Sequence, residues 1–114
     1  VDDHAIVRQG LRALLEAEAN FKVVDEAGNG LDALEKVKKI KPDVAIIDLM
    51  MPNLNGLEVA RQLSKLSLRT KIIILSMYDD EGFVLEALGN GASGYVLKDS
   101  DSSDLVHAVR EVLA

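Results

Sequence analysis

The sequence predicts an α/β fold, a run of five βα units wound into one open parallel sheet with helices on both faces. Three observations carry that reading. The runs Val44-Ala45-Ile46-Ile47 and Ile72-Ile73-Ile74-Leu75 are apolar at every position, which suits strands covered on both sides, as in a parallel sheet. Stretches with apolar residues at helical spacing alternate with such runs. The candidate strand ends, positions 3, 27, 48, 76 and 97, recur at steps of roughly 21–28 residues, each enough for one strand and one helix.

Taken in order, Val1 alone precedes the first strand end, so the chain is expected to begin part-way into its first strand, cropped at the front. Val7, Leu11, Leu14 and Leu15 predict a helix over 4–18, with Asp2 and Asp3 placed to cap its free N–H groups. Phe21–Ala27 is expected as a short strand, and Gly28-Asn29-Gly30 turns it into a helix at 31–40. Pro42 separates that helix from the strand Val44–Ile47. Leu57, Ala60, Leu63 and Leu66 give a helix over 57–66, and Ile72–Leu75 is the next doubly apolar strand. A helix over about 82–89, a brief strand Tyr95–Leu97 and a helix over about 102–113 through Leu105, Val109 and Val112 complete the pattern.

At 114 residues, with 48% hydrophobic and 28% charged composition, the chain reads as one globular domain, 1–114. Nineteen acidic residues against thirteen basic leave a net charge of −6, which repels phosphate backbones and makes the segment by itself a poor nucleic-acid binder. There is no cysteine, which excludes disulfides and thiolate metal sites. No apolar run approaches a membrane span and no leader pattern precedes them, so no membrane partner and a cytoplasmic location are expected.

In open parallel sheets, chemistry collects beyond the carboxyl ends of the strands. There this sequence places Asp2 and Asp3 after the first strand, Asp48 after the third, Ser76 after the fourth and Lys98 after the fifth. Each has an ordinary reading alone: caps for Asp2 and Asp3, turn residues for Asp48 and Ser76, a solvated lysine for Lys98. Their joint placement favours a site. Two carboxylates about 5 Å apart repel by roughly 3 kcal/mol at an effective dielectric near 20. One ammonium offsets part of that, and a divalent cation most of it; oxygen-only ligands select Mg²⁺. His4 reads as a solvated or capping residue. Acids, a metal and a lysine together can neutralise a transferring phosphoryl group, and a central Asp can itself become an acyl phosphate.

The pieces Val1-Asp2-Asp3-His4, Asp48-Leu49-Met50-Met51-Pro52-Asn53-Leu54-Asn55-Gly56, Ile74-Leu75-Ser76-Met77 and Gly91 through Asp99 occur in order over essentially the whole chain. In these the chain resembles the receiver domains of two-component response regulators. Val7 through Leu15 and the Lys98-Asp99 ending are similar to the NarL/FixJ (LuxR-type) subfamily. The resemblance implies a flavodoxin-like (CheY-like) five-stranded parallel sheet of order 2-1-3-4-5. It implies that Asp48 is the phosphoacceptor, that Asp2, Asp3, Asp48 and the main-chain carbonyl of Met50 hold Mg²⁺, and that Lys98 and Ser76 contact the phosphoryl oxygens. Tyr95 matches the aromatic that rotates inward when Ser76 is drawn toward phosphate. Implied partners are a sensor histidine kinase, a second copy in a phosphorylation-enhanced homodimer, and DNA only through a C-terminal helix-turn-helix domain beyond residue 114. The expected role is a phosphorelay switch controlling transcription, not an enzyme. The alternative is a small aspartyl-nucleophile, Mg²⁺-dependent phosphohydrolase, although the acid spacing of haloacid dehalogenases and a cap domain are both missing. Asp99 stands where many receivers have proline, and Met50 where asparagine is common.

Overall fold

The computed structural model describes residues 1, 4–49, 55–66, 69–77, 81–98 and 102–113. The elements run α1 (Ala5–Glu16), α2 (Gly30–Ile40), β1 (Val44–Asp48), α3 (Gly56–Lys65), β2 (Lys71–Ser76), α4 (Glu81–Gly89), β3 (Gly94–Leu97) and α5 (Ser102–Leu113). The three strands form a parallel sheet in the order β1-β2-β3, with Ile47 opposite Ile74 and Ile74 opposite Tyr95. Val1 extends the order by one residue. Its amino nitrogen donates to the Ile46 carbonyl, and its own carbonyl accepts from the Asp48 N–H at 2.9 Å. That is the parallel-ladder pattern on the free edge of β1.

Side-chain alternation sorts the core into two layers. Ala45, Ile47, Ile72 and Ile74 face Leu34 and Val37 of α2, Val59, Ala60 and Leu63 of α3, and Ala87 of α4. Ile73, Leu75 and Val96 face Leu105 and Val109 of α5, joined by Leu11, Leu14 and Leu15 of α1. The doubly apolar runs are therefore doubly covered, as their composition predicts.

The helices start where short polar side chains cap them. Asn29 accepts from the Asp32 N–H at 2.8 Å and Asn55 from the Glu58 N–H at 3.0 Å. At α1 the cap position is His4, and its side chain makes no cap hydrogen bond. Helix α1 also ends at Glu16, two residues short of the expected 18, and contains no buried residue.

Residues 21–27, expected as a strand, form no ladder. The physical reason is a gap: an open cleft of about 430 Å³ separates them from the edge of β1, lined among others by Val1, Leu15, Val23, Val44 and Ile46. Among the described residues no strand pairs with the segment across that cleft, and side chains hold it instead. Phe21 packs into the α1/α5 layer. Arg12 grips Glu26 at 2.6 Å, Arg8 lies 3.6 Å from Glu26, and Lys36 pairs with Asp25 at 3.3 Å. The Arg12 guanidinium, helped by Arg8, holds the Glu26 carboxyl below its ordinary range.

Candidate functional site

Three of the expected residues converge where β1, β2 and β3 end. Asp48 closes β1 and is 3% exposed; Ser76 closes β2 and is 1% exposed; Lys98 follows β3 directly. The Lys98 ammonium reaches across to Oδ2 of Asp48 at 3.0 Å. Backbone bonds fix this geometry: the Leu49 N–H donates to the Leu75 carbonyl at 2.9 Å and the Lys98 N–H to the Ser76 carbonyl at 2.7 Å. The ladder thus runs one residue past the strands, into the site.

The pleat divides the four side chains into two pairs. Asp48 is in phase with Leu75 and Val96, and Lys98 lies two residues beyond Val96, so both belong to the α5 side. Ser76 and Tyr95 are in phase with Ile74, on the side of α3 and α4. Tyr95 is half-buried and packs against the core that contains Ile74 and Ala87, as Phe83 does. One layer holds the charge and the other the hydroxyl and the aromatic ring.

The chain leaving β1 is pinned from below. The Gly56 N–H donates to the Leu49 carbonyl at 2.8 Å, and a Cβ at Gly56 would lie 2.4 Å from the Asp48 carbonyl oxygen. Helix α3 can begin this close to the Asp48 backbone only because position 56 carries no side chain. The requirement at Gly56 is close approach rather than an unusual dihedral. One turn into α3, Arg61 binds both carboxyl oxygens of Glu58, one of them at 2.8 Å, and with Gln62 lowers its pKa to about 2.

Asp2, Asp3 and Met50 lie outside the described residues. Among the described residues no group of three metal-ligating side chains occurs. Of the expected ligands, Asp48 is the one whose geometry is described. Val1, whose carbonyl accepts from the Asp48 N–H, immediately precedes the other two acids in the chain. A donor set of carboxylates and one carbonyl suits a hard, octahedral cation, so the residues fit Mg²⁺. Sequence reading missed the Arg8, Arg12 and Lys36 contacts that hold residues 25–26, since long-range ion pairs leave no periodic signal. No helix among the described residues is long and apolar enough to cross a membrane.

A parallel sheet with a buried aspartate paired to a lysine at its carboxyl edge defines a class, and the comparisons name it. Residues 1–110 match the response regulator receiver domain family, and the chain belongs to that family. It is 41% identical over 112 residues to the transcriptional regulatory protein DegU of Brevibacillus brevis, covering 98% of this chain and 48% of that protein. It is 44% identical to the oxygen regulatory protein NreC of Staphylococcus carnosus, covering 97% of this chain and 52% of that one. The receiver domain of the putative response regulator NarL from Mycobacterium tuberculosis superposes with a TM-score of 0.94 at 38% identity, over 98% of this chain and 90% of that one. The fold is therefore CheY-like, and the chain spans about half the length of the curated relatives it matches.

Proposed function

We propose that this receiver is a phosphorylation switch within a transcriptional response regulator of the NarL/LuxR type, with Asp48 as its phosphoacceptor. The observation that carries the reading is the Asp48–Lys98 pair, a buried carboxylate held 3.0 Å from a half-buried ammonium at the strand ends. A carboxylate oxygen of Asp48 attacks the phosphorus of a phosphohistidine on a sensor kinase. The new O–P bond forms as the P–N bond breaks, and the imidazole nitrogen takes a proton. Lys98 then turns from Asp48 to the phosphoryl oxygens, so its charge stays matched throughout. Ser76, on the neighbouring strand end, donates its hydroxyl to a phosphoryl oxygen.

Asp2, Asp3, Asp48 and the Met50 carbonyl would hold Mg²⁺, which when bound supplies the charge neutralisation that three clustered acids cannot supply for themselves. The relatives' roles in transcription support an output through a DNA-binding segment outside this chain, switched by a change of association. No observation favours the phosphohydrolase alternative. The test is intact mass after incubation with acetyl phosphate. The chain should gain one phosphoryl group with Mg²⁺ and none without it, and an Asp48→Asn variant that gains phosphate as readily as the parent would refute the assignment.

A further inference from the structure

The charges of this chain are segregated in a way that its net charge conceals. Among the described residues, six of the thirteen Lys and Arg residues form ion pairs: Arg8, Arg12, Lys36, Arg61, Lys98 and Arg110. The other seven are Lys22, Lys38, Lys39, Lys41, Lys65, Arg69 and Lys71; all are exposed and none forms an ion pair among the described residues. All seven lie at one edge of the fold, where helices end and strands begin. Lys22 follows α1; Lys38, Lys39 and Lys41 precede β1; Lys65 ends α3; Arg69 and Lys71 open β2.

Backbone and side-chain bonds tie these stretches into one surface. The Thr70 hydroxyl donates to the Pro42 carbonyl at 2.6 Å and the Lys71 N–H to the Asp43 carbonyl at 2.9 Å. Beside them a cleft of about 260 Å³ is lined by Ser64, Arg69, Thr70, Lys71 and Ser93. Asp43 is the one acid between Lys36 and Lys71 other than Asp48, at the far end of its strand, and Glu58, which Arg61 neutralises.

Helix macrodipoles account for part of this. Lys38, Lys39 and Lys65 sit in last turns, where cations are favoured. Lys41, the C-cap of α2, shares that reason; Lys22, Arg69 and Lys71 lie outside the helices and have no such reason to be there. Lysine is depleted at protein–protein interfaces but serves phosphate backbones well, as a mobile charge that needs no fixed geometry.

We propose that this edge of the domain, opposite Asp48, contacts the phosphate backbone of duplex DNA. The inference rests on the transcriptional reading given above but not on phosphorylation of Asp48. It amends the expectation that DNA is touched only by a separate domain: a net charge of −6 weakens such contact, and seven exposed cations gathered at one edge, where Glu16 and Glu18 are themselves paired with Arg12 and Arg110, let that edge make it. The contact is independent of base sequence.

The experiment is fluorescence anisotropy of a labelled duplex titrated with the 114-residue chain at several salt concentrations, starting from about 20 mM, where phosphate contacts are strongest. Each neutralised phosphate adds about 0.9 to the slope of log affinity against log salt. The double variant Arg69→Gln/Lys71→Gln should flatten that slope by roughly 1.8 and weaken binding about tenfold at low salt. Lys38→Gln/Lys39→Gln, on an exposed helix surface, should act in the same direction. Arg61→Gln removes a charge from an ion-paired position one turn into α3, toward the Asp48 end, and should leave the slope unchanged, with far-UV circular dichroism confirming that each variant is folded. Equal slopes in all variants, or no anisotropy change at the lowest salt, overturn the proposal. Tighter binding of polyglutamate than of duplex also overturns it, in favour of an acidic protein partner.

Discussion

The Lys98 ammonium and the Asp48 carboxylate meet at 3.0 Å across the ends of β3 and β1, with β2 between the two strands. Asp48 is 3% exposed, so its charge is desolvated and Lys98 offsets part of that cost. Replacing Lys98 by methionine should therefore destabilise the fold by about 3 kcal/mol, the low end for removing one partner of a buried ion pair. Asp48→Asn leaves a lysine that can turn outward to water, and should cost less. The double variant should be more stable than Lys98→Met alone. Urea denaturation of the four proteins without metal checks the ordering.

Gly56 and Gly10 make opposite predictions for the same substitution. Alanine in a helix is ordinarily worth roughly 0.5–1 kcal/mol over glycine. Gly10, inside α1, has nothing within 4 Å of a built Cβ, so Gly10→Ala should gain about that much. At Gly56 the Cβ would meet the Asp48 carbonyl oxygen at 2.4 Å, and backbone cannot give way as a side chain can. Gly56→Ala should lose about 1–3 kcal/mol, as overpacking does, and should slow phosphoryl uptake because the displaced atom belongs to Asp48. Thermal melts give the first two signs and acetyl phosphate labelling the third.

The difference between those two glycines shows where sequence reading stops. Alternation of doubly apolar runs with helical periodicity is a local signal, and it located Val44–Ile47, Ile72–Leu75 and the helices that cover them. The strand-end rule likewise places Asp48, Ser76 and Lys98 at one rim from sequence alone. The approach of α3 to the Asp48 backbone is set by tertiary packing, and nothing in the local sequence states it. Residues 21–27 have the composition of a strand, yet a strand is a relation between two segments. Across the cleft beside β1 no strand among the described residues pairs with them. The basic edge was invisible for a related reason: a net charge sums over the chain, whereas Lys22, Lys41 and Arg69 share a face only after the sheet forms.

Glu58 should leave a mark on acid stability. Arg61 and Gln62 hold its pKa at about 2, below the usual carboxylate value of about 4.3 in an unfolded chain. The folded form therefore binds this proton less readily than the unfolded one. Its contribution is present above about pH 5 and is lost as pH falls through the window from about 4.3 to 2. Glu26, lowered by Arg12 and Arg8, acts in the same direction. Glu58→Gln should reduce the fall in melting temperature between pH 5 and 3, and 0.5 M salt should also shrink it because the Glu58–Arg61 pair is accessible to water. An unchanged acid limb in Glu58→Gln would assign the acid sensitivity to other carboxylates.

Ser76 and Tyr95 share a pleat face, and that relation predicts how phosphorylation reaches the surface. Ser76 ends β2 on the pleat face opposite that of Asp48, so it donates to a phosphoryl group on Asp48 by shifting toward it. The shift loosens packing on the α3/α4 side, where Tyr95 already lies half-buried against the core. The ring can move further in, burying apolar area while its hydroxyl takes a new partner. Helix α4 and the end of β2 also carry exposed apolar side chains: Leu85 and Leu88 of α4 and Met77 after β2 are 60%, 48% and 63% exposed. A second copy seated there would read the change. The gain is bounded by how differently phosphate contacts the two states, about 1–3 kcal/mol, or roughly 5–150-fold in dimer affinity. Sedimentation equilibrium with and without beryllofluoride, a phosphoryl mimic, measures it. The parent should associate more tightly with the mimic, while Ser76→Ala and Tyr95→Ala should each lose most of that increase and keep the basal constant. Equal increases in all three proteins would mean that the switch runs through other residues.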